Sequence, residues 1–188
     1  MERGVLSYLL MHVFLFKPVY LYVLGHELVH VLATWICGGS VVAFHVTPSG
    51  GNVVTSKTNF FIELSPYFVP LYTIILGLSF WLFRITGISP AKTSAIFLFL
   101  VGFSLAFHFV MTSEALRLQQ DDIMKSGIIF SFVIIFVSNL IVVTGVFAPI
   151  FGNISFTEFI KDAYYGSMDI YRFIYEESSR FVMAYLPR

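Results

Sequence analysis

Long apolar runs broken by short polar stretches dominate this chain. A helix that crosses hydrocarbon needs about 20 apolar residues, and four runs meet that length: 18–37, 60–83, 93–111 and 122–148. Pro18 suits the first turn of the first helix, and Gly38-Gly39 ends it. Pro66 and Pro70 predict a kink or irregular turn inside the second. A short loop follows over 84–92, a polar connection over 112–121, and Pro149 signals a stop after the fourth run. Residues 5–16 are too few to span alone. They either extend the first helix beyond a kink at Pro18 or lie at the membrane interface, and the absence of a following small-residue cleavage site predicts that this segment is retained.

Two stretches depart from the apolar pattern. After Gly39, β-branched runs flank Pro48-Ser49-Gly50-Gly51, a turn signal that predicts a β-hairpin pairing 41–47 with 52–58. Open strands in lipid leave backbone groups unpaired, so the hairpin belongs at the surface or among helices beside a wet cavity. From Ser155 onward Phe156, Phe159, Ile160, Tyr164, Tyr171, Ile174 and Tyr175 recur at helical spacing with charged residues between them. That is an amphipathic helix suited to the membrane surface, with a break expected near Gly166. The expected fold is therefore an all-α polytopic membrane protein. It has about four transmembrane helices, a small β-hairpin after the first and a C-terminal amphipathic helix. It divides into an N-terminal segment (1–17), a membrane core (18–148) and a tail (149–188).

Composition agrees. Of the 188 residues 57% are hydrophobic and 12% charged, about half the charge of a soluble domain. A multi-pass integral membrane protein follows, with the lipid bilayer as its first partner. The net charge is zero and Lys and Arg are scattered, which argues against nucleic acid as a partner. Cys37 is the single cysteine, so no internal disulfide can form.

The candidate chemistry lies inside the first apolar run. His26-Glu27-Leu28-Val29-His30 is an HExxH motif. Residues four apart share a helix face, so both imidazoles can address one metal ion, with Glu27 placed to take a proton from water. Ionisable groups in hydrocarbon are costly, and they need partners or a function. Zinc accepts imidazole and carboxylate donors and keeps one position open at catalytic sites. One catalytic Zn2+ is therefore expected, with His26 and His30 as ligands and Glu27 as the catalytic acid–base.

A third ligand must come from elsewhere. His30 precedes Cys37 by seven residues, which puts it about 10 Å below the surface where the first span ends. The fourth span starts on that same side. Asp122, at its head, lies at a comparable depth, and a helix N-terminus favours the ionised carboxylate. Asp122 serves equally well as an N-cap. Asp121 is the alternative, about 100° away around a helix, and Glu114 is another. His108, near the same end of the third span, could hydrogen-bond a developing oxyanion or steady a metal-binding residue. His45 and His12 are expected to be structural or exposed, and Asn139 to bond between helices.

These features resemble the site-2 protease family of intramembrane zinc metalloproteases. The likeness rests on Gly25-His26-Glu27-Leu28-Val29-His30 in a membrane helix, Gly38-Gly39, the hairpin with its Pro48-Ser49-Gly50-Gly51 turn, and an Asp heading a later span. The family commonly shows Asp-Gly at the third ligand, whereas this chain reads Asp121-Asp122-Ile123. The resemblance implies hydrolysis of peptide bonds in or near transmembrane segments of membrane-protein substrates. A substrate helix must unwind to expose its carbonyls, and the hairpin edge could hold the unwound strand. Three rival readings exist. One is a protease of the gluzincin class using Glu114. Another is a membrane zinc transporter, for which residues 60–83 supply no facing polar helix. The third is a catalytically idle scaffold.

Overall fold

The computed structural model describes residues 1–85, 90–117, 121–151 and 155–185. Much of the loop expected over 84–92, and the end of the connection expected over 112–121, lie outside the described residues. Among the described residues eight α-helices and one antiparallel hairpin occur: α1 (Glu2–Phe14), α2 (Val19–Ile36), β1 (Val41–Thr47), β2 (Gly50–Thr55), α3 (Phe60–Leu64), α4 (Leu71–Ile85), α5 (Pro90–Arg117), α6 (Asp121–Ser126), α7 (Ile128–Phe151) and α8 (Phe156–Tyr185). A 3-10 turn, Ser65–Tyr67, follows α3. The chain divides into two compact units, Met1–Asn139 and Leu140–Arg188.

Among the described residues three helices are long and apolar enough to cross a membrane: Val19–Ile36, Ser94–Arg117 and Ile128–Val146. Phe60–Tyr67 and Leu71–Phe83 pass the same test only as a pair, bent by 76°. The bend falls where Pro66 and Pro70 were expected to interrupt the helix. Pro70 supplies no backbone donor and the residue before it is biased out of helical geometry.

Helix α2 is central. It packs against both strands, α3, the 3-10 turn, α4 and α5. Segment 5–16, whose course the sequence left open between a helix extension and an interfacial strip, lies in α1 as far as Phe14, and α1 packs along α5. Tyr8 is fully buried there with Ala106, Phe107 and Met111, and its ring meets Phe103 and Phe107 edge-on. The two helices approach so closely that a Cβ on Gly4 would overlap the Phe99 carbonyl oxygen. A second cluster joins Leu64, Tyr67, Ile123 and Ile135, locking the bend to α6 and α7.

Several boundaries differ from the sequence reading. The hairpin turn is only two residues long, with Thr47 opposite Gly50. Gly50 and Gly51 are therefore paired, and β2 ends at Thr55 instead of reaching residue 58. Helix α5 continues to Arg117, not stopping at Met111. Thr112 and Ala115 turn inward, and Glu114 is neutralised by Lys17, so the polar residues there decorate a helix. The fourth run does not begin as one helix at Asp122. Gly127, at φ +88°, separates α6 from α7, a conformation that favours glycine. Helix α7 runs two residues beyond Pro149, where a proline forfeits only one hydrogen bond of the last turns. Helix α8 passes Gly166 unbroken, consistent with the modest cost of glycine in a helix, about 1 kcal/mol.

Gly4→Ala should destabilise the protein by about 1–3 kcal/mol, the usual cost of overpacking. Gly77→Ala, whose Cβ meets nothing within 4 Å, should be neutral or stabilising by up to about 1 kcal/mol. Unfolding curves of the two variants in detergent check the contrast.

Candidate metal centre

His26 and His30 project from one face of α2, one turn apart, with ring centroids 4.9 Å apart. Asp122, the second residue of α6, faces both. Its Oδ2 lies 3.7 Å from His26 Nε2 and 3.4 Å from His30 Nε2. One ligand atom from each of the three residues lies within 4.8 Å of the others, and the group could hold a metal ion.

The surroundings fix each donor. His30 donates from Nδ1 to the Ile62 carbonyl over 2.8 Å, which leaves Nε2 with a lone pair directed at the site. Ile123 is buried against Leu64, Tyr67 and Ile135, anchoring α6 beside its neighbour Asp122. The Tyr67 hydroxyl donates to Asp122 Oδ2 at 3.3 Å, and the Tyr67 ring meets His26 edge-on at 5.0 Å. Ser126 donates to Glu63, and Thr58 donates to the other oxygen of the same carboxylate at 2.8 Å. α6 is thereby tied to α3. α6 lies outside the three candidate spans. A carboxylate binds metal in its ionised form, and Asp122 Oδ2 is the oxygen turned toward both imidazoles.

This donor set fits zinc. Two imidazole nitrogens and one carboxylate oxygen are donors that zinc accepts, and tetrahedral bonds of about 2.0–2.1 Å place donors roughly 3.3 Å apart. The observed separations to Asp122 are close to that. A cavity of about 660 Å3 opens on the group, lined by His26, Glu27, His30, residues 51–55 of β2, Ile62, Glu63, Asp122 and Lys125. It leaves room for water beside the donors.

Glu27 lies outside the cluster of three donors. It is 7% exposed and rests against the start of β2. A Cβ on Gly51 would stand 2.5 Å from Glu27 Cγ and 2.7 Å from its Oε1, so only glycine lets the strand come this near. A second cavity of about 360 Å3 also reaches His26 and Glu27, between Val19, Val23, Met111 and Ala115. The two side chains therefore border both cavities.

The other candidates lie outside the group of three converging donors. Glu114 accepts from Lys17 Nζ at 2.5 Å and from His12 Nε2 at 3.2 Å, so its carboxylate is committed to a bridge between α5 and the N-terminal segment. Glu114 borders the second cavity with His26 and Glu27 but is not among the three donors that converge. The side chain of Asp121 lies outside the described residues. His108 is buried and lines a small cavity behind His26, not the large one that opens on the donors. Asn139 donates to the Tyr67 carbonyl at 3.1 Å, the interhelical bond expected of it. Sequence reasoning missed Tyr67, the Ile62 carbonyl, Gly51 and Lys125. Pro66 and Pro70 announced a bend, but not which element would face it. Gly50-Gly51 suggested a turn, although the close approach falls on Glu27.

Comparison with protein-family models, with curated proteins and with solved structures returned no match.

Purified protein should bind about one Zn2+ per chain. His30→Ala and Asp122→Asn should each lose most of it, while Asp121→Asn and Glu114→Gln should keep it. Metal analysis after dialysis against a weak chelator checks this. Retention by Asp122→Asn together with loss in Asp121→Asn would reassign the ligand.

Proposed function

We propose that this protein is an intramembrane zinc metalloprotease that hydrolyses peptide bonds in or near transmembrane segments of membrane-protein substrates. The observation that carries the reading is the convergence of His26, His30 and Asp122 within 4.8 Å in a cavity that Glu27 also lines. In this reading the protein is multi-pass. The bent pair Phe60–Tyr67 and Leu71–Phe83 makes a fourth, broken span. Helix α8, with apolar residues such as Tyr164, Tyr171 and Ile174 recurring at helical spacing among charges, lies on the membrane surface. Exposed apolar side chains on α7, among them Ile129, Phe132, Val133 and Phe136, suit contact with lipid.

Zinc bound by His26, His30 and Asp122 would supply Lewis acidity, polarising the scissile carbonyl and acidifying water beside it. Glu27 accepts the proton of the attacking water and passes it to the leaving amine. The Ile62 carbonyl holds His30 in the tautomer that binds metal through Nε2, and the Tyr67 hydroxyl steadies Asp122. The substrate must be extended to present a carbonyl. Residues 51–55 of β2 line the large cavity and offer a strand edge along which an extended segment could pair.

Two rivals remain distinct. A zinc transporter needs a second set of donors along a path, and among the described residues one cluster of three could hold a metal. An idle scaffold would make no use of Glu27. Glu27→Gln should keep zinc and lose cleavage of a transmembrane reporter in proteoliposomes by at least about 100-fold, within the usual contribution of a general acid–base. Zinc flux across the liposomes, changed by the same substitution, would favour a transporter. Unaltered behaviour in every assay would favour a scaffold.

The strand has its own test. Val54→Pro should lower cleavage at least tenfold with zinc content unchanged, and Gly51→Ala should do the same by pressing on Glu27. Full activity in Val54→Pro would dismiss strand pairing and leave the metal chemistry untouched.

A further inference from the structure

The two metal-binding imidazoles are held by different means. His30 donates directly to a backbone carbonyl. In the zinc-site reading His26 Nε2, turned toward Asp122, is committed to the metal, so Nδ1 carries the proton and needs an acceptor. That Nδ1 is buried and has no hydrogen-bond partner in the protein. His108 on α5 has the complementary condition: the side chain is 7% exposed and its Nε2 is buried without a partner. The Tyr22 hydroxyl, one helical turn before His26, is a third such atom.

These three residues line one small cavity, about 20 Å3, together with Ser104, Phe107, Pro70 and others. A cavity of about 10–15 Å3 holds one water when two to four polar groups are there to bond it. This one has room for a single molecule and contains three side chains with unmet hydrogen-bonding capacity. An apolar void would stay dry, but unpaired polar atoms in a buried site are costly to leave so.

Resting on the zinc-site reading above, we propose that one buried water accepts from His26 Nδ1 and donates to His108 Nε2, making His108 the positioning residue for the metal ligand His26. The Tyr22 hydroxyl supplies the third bond. The arrangement fixes the His26 tautomer from behind, as the Ile62 carbonyl does for His30. His108 touches neither substrate nor metal. It lies outside the large cavity, and its influence on chemistry passes through the His26 ring.

The test uses the full chain in detergent or nanodiscs and reads metal binding, not turnover. His108→Phe fills the space without an acceptor, whereas His108→Gln restores an amide oxygen. Chelator competition should show zinc affinity ten- to a hundredfold weaker in His108→Phe, the usual loss when an outer hydrogen-bond partner is removed. His108→Gln should be within about threefold of the parent. The Co2+-substituted protein should show a shifted ligand-field spectrum in His108→Phe and a parent-like one in His108→Gln. Parent-like affinity in His108→Phe, or equal loss in both variants, would overturn the proposal. A high-resolution structure of the unsubstituted protein gives an arm independent of folding. Density for one water bonded to both nitrogens supports the proposal, and a dry cavity overturns it. Failure of the unsubstituted chain to bind zinc would overturn this inference and the protease reading together. An unaffected His108→Phe in a zinc-binding chain would overturn the inference alone.

Discussion

A carboxylate from α6 facing two imidazoles from α2 is the contact on which the rest of the architecture converges. Asp122 stands 3.4 Å from one ring nitrogen and 3.7 Å from the other, across elements nearly a hundred residues apart in the chain. Such a meeting is not secured by the three polar groups themselves, because taking ions out of water costs about several kcal/mol each. It is secured by apolar packing next door. Ile123 sits among Leu64, Tyr67 and Ile135, and burying a side chain of that size contributes about 1.5–3 kcal/mol. Glu63 adds polar ties from α3 to the same short helix through Ser126 and to the preceding loop through Thr58.

The 76° bend between the 3-10 turn and α4 makes that packing possible. A straight helix through residues 60–83 would carry Ile62 and Tyr67 along its own axis and away from α2. The break brings the Ile62 carbonyl to His30 and the Tyr67 hydroxyl to Asp122. Asn139 then caps the arrangement by bonding the Tyr67 carbonyl. Backbone irregularity at membrane depth is tolerated where it is buried in protein or beside a cavity, and here the freed groups find partners around the candidate site.

Much of this was legible in the residues, and the reasons for what was not are physical. HExxH spacing dictates that His26 and His30 share a helix face, because 3.6 residues per turn leaves no alternative. The hairpin, the bend at Pro66 and Pro70, and Asp122 as an opposing carboxylate were readable from turn chemistry, proline and depth. The extension of α5 beyond Met111 was not. Thr112, Glu114 and Arg117 look like a loop by polarity, yet Thr112 is buried and Glu114 pairs with Lys17, so the helix continues through them. The gap at Gly127 was equally hidden, since a lone glycine in an apolar run is compatible with a continuous helix. The tertiary partners of the site, Tyr67 and Gly51, come from segments whose local sequence signals a bend and a turn, not a role.

The same comparison weighs an enzyme against an idle scaffold. Buried ionic groups are weak devices for stability, and replacing them with apolar residues of similar volume is often neutral or stabilising. A scaffold would be at least as well served by leucines at positions 26, 30 and 122. Instead the chain keeps three ionisable side chains together, gives two of them dedicated hydrogen-bond partners, and leaves a cavity of about 660 Å3 open beside them. It also places a glycine where any larger residue would press on Glu27. Stability explains none of these choices. A group of donors that could hold a metal, kept open to water, is consistent with all of them.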